Sequence, residues 1–522
     1  MSPSFILLFI FAHSVSSAQF LSKASAYGGV GNEYGGGVIP SPDVGHIMVG
    51  STSSYGPNAM SEEPNAYVVK LDPSGGLDWS LALGGTGSDW YSDAAATASG
   101  FIAIGSTFPQ GPMTIGNMLV TAFDHQGQVL WNKRIGSSSH SEFASRIRSI
   151  GDDQYVIVGS RSLGAGGSQS NMFAMCINSL GEMIWLSEFG SSSGDNASDL
   201  VQLPDGGFMI VGMRYIPTSR LQIVRLNAQG QLVWDRSFTG EVQNFGWKIE
   251  IVGDDVLLVG GHANKLLAMR LDQNGEVQWE KLYSSEWTIS GRVLHVLPGD
   301  EGVILAGSTY SPDFSIFESV FIKISPQGDL LEAERSTDGM TAIRTITPSD
   351  GGGLLVAGDG SPADGVGFSD MIANHRPGEM LGFGCSSEPV DIVMEDMEEL
   401  PFQSLMSQEP LPSWASVDLS WSPVTAGEEA VLCSNVGIEE PSDYVHQLVL
   451  FPNPSRQYVK WVTFGIPPFS LEITDRSGRV VYQRSRLQVA ETLLPYLATG
   501  MYHCKVISNE GSMSRGVLMI HD

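Results

Sequence analysis

Ile102-Ala103-Ile104-Gly105-Ser106-Thr107 is an apolar run closed by glycine, and the chain repeats that phrase seven times. The other copies end on Gly50, Gly159, Gly212, Gly260, Gly307 and Gly358, at intervals of about 50 residues. A second series interlocks with it: Gly, a hydrophobic two residues on, then Trp. Its members are Gly75/Leu77/Trp79, Gly127/Val129/Trp131, Gly181/Met183/Trp185, Gly230/Leu232/Trp234 and Gly275/Val277/Trp279, while a sixth copy, Gly328/Leu330, carries Glu332 in place of Trp. A fixed period of this size marks one supersecondary unit copied along the chain.

Between the two series runs an alternating stretch ending in Asp, Asn or Ser, as in Tyr67-Val68-Val69-Lys70-Leu71-Asp72. One unit therefore reads as four short strands, in the second copy roughly 92–97, 101–105, 117–123 and 129–135. Turn chemistry separates them, for example Asp152-Asp153, Asp205-Gly206-Gly207 and Asp254-Asp255. No window sustains a 3.6-residue period with caps, so helices should be few. A lone four-stranded sheet cannot bury both faces, whereas radial packing of several can, which predicts an all-β, seven-bladed β-propeller. Trp79, Trp131, Trp185, Trp234 and Trp279 then serve as apolar plugs between blades. The last repeat lacks a good fourth strand. Phe20–Ala24, followed by Tyr27-Gly28-Gly29, resembles the end of a normal repeat and is expected to complete the seventh blade, with 380–383 as its rival.

Asn65–Gly75, Leu83-Gly84-Gly85-Thr86-Gly87-Ser88-Asp89 and Ile104–Thr107 together resemble the SBBP-type bacterial β-propeller repeat, over roughly residues 20–384. The resemblance implies a fold and a secreted context, with no shared chemistry. An apolar core at residues 5–12 and small residues up to Ala18 read as a secretory signal, cut after Ala18, although no Lys or Arg precedes it. The boundaries expected are 1–18 signal, 19–384 propeller, 385–445 acidic linker and 446–522 a small Ig-like β-sandwich.

The formal net charge is −29. From Pro377 to Ser455 there is no Lys or Arg against fourteen acids. Such acidity argues against nucleic acid and anionic lipid as partners, and no segment reaches the roughly 20 apolar residues of a membrane span. Cys385 and Cys433 bracket the acidic segment, where a disulfide would tie it into a loop. Trp414 and Trp421 in that segment point to packing on something, though its acids and prolines equally suit an extended linker. Cys176 and Cys504 fall in strand patterns and read as small buried hydrophobes.

The tail from His446 reads as about seven short strands. Pro452-Asn453-Pro454, then Asp475, Gly478 and Arg479 of an Asp-x-x-Gly-Arg turn, then Gly500 and Tyr502 of a Leu-x-x-Gly-x-Tyr entry occur in order. This series resembles the C-terminal sorting domain of type IX secretion cargo in Bacteroidetes. A terminal strand led by Lys is the family's habit, and Arg515-Gly516-Val517 stands there instead. The resemblance implies the type IX secretion machinery as partner, and a secreted or outer-membrane surface location in a Gram-negative bacterium. It also implies removal of the domain as the cargo is attached or released.

Little in the sequence points to catalysis. Gly190-Ser191-Ser192-Ser193-Gly194 matches the hydrolase elbow, a motif that needs a strand–turn–helix context absent here. The Asp72…Gly75…Trp79 turns resemble sialidase and quinoprotein repeats but fit the spacing of neither. Asp89, Asp195 and Asp199, in Gly/Ser-rich connections, are weak calcium candidates; no other cofactor is expected. The sequence thus predicts an exported binding module for a glycan, protein or envelope ligand held on the loop-bearing face. A propeller hydrolase or lyase acting on glycans, and a purely structural envelope component, are the alternatives.

Overall fold

A computed structural model describes residues 22–520 apart from short intervening stretches, the longest being 361–369, 377–386 and 436–444. The protein is all-β, and a 3-10 turn at Pro298–Asp300 is the only helix among the described residues. It divides into two compact units, residues 1–437 and 438–522.

The first unit holds seven four-stranded antiparallel sheets, in six of which the strands follow one another in chain order. They open with Glu33–Pro40, Asp89–Thr97, Glu142–Gly151, Gly194–Gln202, Asn244–Val252, Thr288–Val296 and Met340–Pro348. The second sheet's strands, Asp89–Thr97, Gly100–Thr107, Asn117–Asp124 and Val129–Gly136, lie where the repeat predicts them. A single parallel bridge, Ser170 to Gly194, links the third and fourth sheets. The seventh takes its fourth strand from Ser22–Gly28, in register from Lys23 opposite His375 to Tyr27 opposite Met371. The N-terminal strand thus takes the place expected of it; residues 380–383 lie outside the described residues. First strands of successive sheets lie against each other, and that of the seventh meets that of the first.

The core follows from this arrangement. A second strand such as His46–Thr52 or Gly100–Thr107 is buried along its whole length, as expected of a strand covered on both faces. Seven separate apolar clusters result, one at each contact between neighbouring sheets, including Tyr27, Met371, Met48 and Tyr67 between the seventh and the first.

Both series of repeated residues are explained by these contacts. Each recurrent Trp lies against the next sheet's turn glycine, so closely that a methyl group on Gly230 would stand 2.5 Å from the Trp185 ring. Those glycines have positive φ, +75° at Gly230, and the preceding Asp, Asn or Ser fastens the turn. Asp72 Oδ1, for instance, accepts from Ser74 N at 2.7 Å and Gly76 N at 2.9 Å.

Residues 387–435, a linker by sequence, are an added edge. Going round, 387–389 pairs with the fourth strand of the sixth sheet, 393–396 with the fifth, 402–403 with the fourth and 407–408 with the third. Residues 415–418 then pair with the second, 424–425 with the first, and 428–435 with the seventh. All seven pairings are antiparallel. The belt is anchored as well as paired. Trp414 meets Phe173 edge-on at 5.0 Å, and Trp421 packs in the cluster between the first and second sheets. Asp235 accepts from Leu405 N at 3.0 Å and Ser404 Oγ at 2.6 Å. Glu388 pairs with Arg335 at 3.1 Å, and Glu395 with Lys265. The extended-linker reading is therefore corrected. Backbone hydrogen bonding to seven exposed sheet edges templates the segment, and its acids blunt the new outer edge.

The second unit holds a five-stranded and a three-stranded sheet. Its core includes Phe469, Leu471, Ile473, Tyr502, Cys504, Val506 and Leu518.

Candidate functional site

Every first strand carries a β-bulge at the same point, displacing Gly36, Ser92, Ser145, Ser198, Trp247, Arg292 and Arg344 from the ladder. The signature glycine of the second strand lies directly opposite the residue before each bulge, as Gly105 does Tyr91. A methyl group on any of the seven glycines would stand 1.8–2.0 Å from a first-strand carbonyl oxygen, Trp90 O in the case of Gly105. The repeated glycine is thus the counterpart of the bulge, a device that re-aims side chains.

All seven bulge residues line one cavity of about 620 Å³, together with Tyr34, Trp90, Arg146, Ser160, Asn196 and Met213. Its two sides differ. The second, third and fourth sheets contribute three serines, and the fifth, sixth and seventh contribute Trp247, Arg292 and Arg344. The Arg292 guanidinium lies 4.2 Å from the centre of the Trp247 ring. Arg344 Nε donates to Asp359 at 2.8 Å. Burial and the neighbouring Arg344 lower the Arg292 guanidinium from its ordinary value.

One residue beyond the bulge, four consecutive sheets present Asp93, Arg146, Asp199 and Lys248, charges of alternating sign. Arg148 ties the two acids together, at 2.9 Å from Asp93 and 2.6 Å from Asp199. Lys248 stands 3.4 Å from Asp199 and 3.7 Å from Glu250. Each aspartate also accepts a backbone N–H of the next sheet: Asp93 from Ile147 at 3.0 Å and Asp199 from Ile249 at 3.2 Å. Burial would raise the Asp199 carboxyl, but Arg148, Lys248 and Arg146 outweigh it and hold it below its usual range. Glu250 is shifted the other way by burial, with Asp199 adding to the effect. A second cavity, of about 400 Å³, is lined by Asp93, Arg146, Arg148, Lys248, Glu250 and the apolar ends of the first strands.

The calcium candidates are dispersed. Asp89 accepts from Gly85 N at 2.8 Å, and Asp195 from Ser191 N at 2.6 Å and Ser191 Oγ at 2.8 Å; both clasp inter-sheet connections. Burial pushes each of these carboxyls up to about 6. Asp199 sits apart in the ion network. Among the described residues no three His, Cys, Asp or Glu side chains are grouped to hold a metal ion. Ser191 lies between two strands with no helix after it, which gives it none of the elbow's geometry.

Cys176 and Cys504 are buried free thiols, pushed by that burial to about 11 and about 12. Cys433 pairs with Ala24 at the end of the belt; Cys385 lies outside the described residues. So do Pro452, Asn453, Pro454, Asp475 and Gly478 of the tail. Arg479 is exposed, Gly500 opens a strand, and Tyr502 is buried in the second unit's core. The bulge residues and the charge ring escaped sequence reasoning. Only the paired glycine signals them, read back twelve or thirteen residues to Asp93, Arg146, Asp199 and Lys248.

Solved structures similar to this chain include a candidate 6-phosphogluconolactonase of Bacteroides fragilis, at 12% identity and TM-score 0.41, covering 67% of this chain and 97% of that one. A puromycin hydrolase variant gives 14% and 0.39, covering 67% and 51%. The extracellular domain of a candidate hybrid two-component system of B. thetaiotaomicron gives 8% and 0.18, covering 96% and 98%. At these scores the likenesses carry no argument about fold or chemistry. The curated proteins give no match. No helix among the described residues is long and apolar enough to cross a membrane. Residues 449–520 match the family model of the secretion system C-terminal sorting domain. The chain therefore ends in a sorting domain that engages the secretion machinery, and the protein is secreted or held at the outer-membrane surface.

Proposed function

We propose that the seven sheets are the blades of a closed β-propeller, that the tail is an Ig-like sandwich serving type IX export, and that the exported protein is a binding module. Its ligand, a glycan or an envelope component, sits in the cavity ringed by the seven bulges. One observation carries this reading: all seven blades spend the same backbone irregularity on aiming a residue into one cavity, where a scaffold alone would need none. The cavity lies at the end of the first strands beside which the second strands close, at Thr52, Thr107 and Ser162. Its volume falls within the roughly 300–1,000 Å³ of small-ligand sites.

The enzyme alternative needs a carboxylate at liberty to exchange a proton with substrate. Carboxylates do gather at and beside the second cavity, but Asp93 and Asp199 accept from Arg148 and from backbone amides, and Glu250 stands 3.7 Å from Lys248. That occupancy favours binding over catalysis. The test is the full chain on a polysaccharide and glycan array, with calcium and with chelator. Selective, saturable binding without turnover of the bound glycan is the expected result. A blank array moves the ligand to a protein of the envelope or the chain to a structural role, and released sugar products move it to a hydrolase or lyase.

A further inference from the structure

We infer that the bulge-ringed cavity takes an acidic saccharide, a sugar bearing a carboxylate or sulfate, with Arg292 as its anion receptor. This rests on the binding-module reading above and narrows it. In a chain with 57 acidic and 28 basic residues, the described residues lining this cavity include three arginines and no Asp or Glu. Two of the three are already engaged, Arg344 with Asp359 at 2.8 Å and Arg146 with Asp93 and Asp199 at 3.9 and 4.0 Å. Arg292 makes no hydrogen bond or ion pair with a carboxylate among the described residues; Asp359, whose charge reaches it, is bonded to Arg344. Arg292 is held over Trp247 with its fork unspent, beside the like charge of Arg344. A guanidinium in that state matches a planar anion bidentately, and the anion relieves the repulsion between the two cations.

The rest of the lining suits a sugar. Ser145, Ser198 and Asn196 bring hydroxyl and amide groups to the opposite side, where Ser92 Oγ already donates to Ala144 O at 2.6 Å. Tyr34, 48% exposed, and Trp90, which stacks on Phe108 at 5.4 Å, add aromatic rings to the lining, and pyranose C–H surfaces pack on rings of this kind. The net charge of −29 does not veto an anion. At physiological salt, charges beyond about 8 Å are largely screened, so the local cations decide.

The experiment is calorimetric titration of the full chain with a galacturonic acid tetramer, a heparin-derived tetrasaccharide and cellotetraose. At least one acidic tetramer should bind at least ten-fold more tightly than cellotetraose, and the preferred one identifies the anion. Raising salt from 0.05 to 0.5 M should weaken the acidic ligand and not the neutral one. Arg292→Gln, checked for an unchanged melting curve, should lose at least ten-fold. Arg292→Lys, which keeps the charge and loses the fork, should fall between. Equal binding of neutral and acidic tetramers, or salt-independent acidic binding, overturns the inference on the native chain, whatever the variants do. So does an Arg292→Gln protein that binds as before. If neutral glycans bind selectively and Arg292→Gln is silent, the binding-module reading stands while this inference falls; if no glycan or envelope fraction binds, both fall.

Discussion

Replacing Gly105 by Ala tests whether the repeated glycine exists for the bulge. The new methyl group would stand 1.8 Å from the Trp90 carbonyl oxygen and 2.7 Å from Tyr91 Cα, both backbone atoms that no rotamer change can move. Ordinary contact begins at 3.4 Å, so the two strands must part by roughly 1.6 Å. A ladder bond near 2.9 Å does not survive that opening. Two or so lost backbone bonds at about 1 kcal/mol each, added to an overpacking cost of about 1–3 kcal/mol, give about 3–5 kcal/mol. The control is Gly253→Ala. Gly253 has φ +65° with nothing within 4 Å of the added carbon, so its cost is backbone strain alone, about 1–2 kcal/mol. Urea denaturation of the full chain followed by Trp fluorescence reads both, provided the slope of the transition is unchanged. The expected order is a large loss for Gly105→Ala and a small one for Gly253→Ala. Equal losses, or a neutral Gly105→Ala, would refute the claim that close approach, rather than φ, selects this glycine.

Other outcomes follow from the same geometry. Asp199→Asn leaves Arg148 with Asp93 and Lys248 with Glu250 as their remaining carboxylates and should cost at most about 3–5 kcal/mol; the native Asp199, lowered in the fold, adds stability above the usual carboxylate range that fades as pH falls through its folded value. Asp195 has the opposite sign. Raised from 3.8 to about 6, it contributes stability present below 3.8 and lost as pH rises through about 6, so the melting temperature of the native chain should gain on that of Asp195→Asn between pH 7 and pH 5. Ser387 pairs with the sixth sheet and Cys433 with the seventh, which are neighbours; a Cys385–Cys433 disulfide would close the belt, and its reduction should cost about 2–4 kcal/mol. Free thiols at both positions in non-reducing peptide maps would exclude it. A chain lacking residues 446–522 should accumulate in the periplasm, and its normal display at the surface would count against the sorting role of the tail.

Edge pairing explains why an acidic, proline-bearing stretch is structured at all. A strand held by backbone bonds to a single edge needs no alternating apolar face, so residues such as Glu388, Glu395 and Asp396 can remain outside and keep seven sheets from presenting bare outer edges. That burial of backbone rather than side chains leaves no periodic signature. Only Trp414 and Trp421 hinted at it.

The sequence by itself determined the repeat, the strands, the turn residues and the sorting tail, because each depends on residues close together in the chain. Ser74, Gly75 and Gly76 sit in one turn, and Asp72 caps that same turn. The tertiary structure alone decided which distant residues meet. A bulge is one extra residue in one strand, invisible until that strand has a partner. Asp93, Arg146, Asp199 and Lys248 are each about 50 residues apart and become neighbours only when successive first strands pack side by side. Nothing in the sequence singles out Arg292 or Arg344; the bulges at these two positions bring both to one cavity.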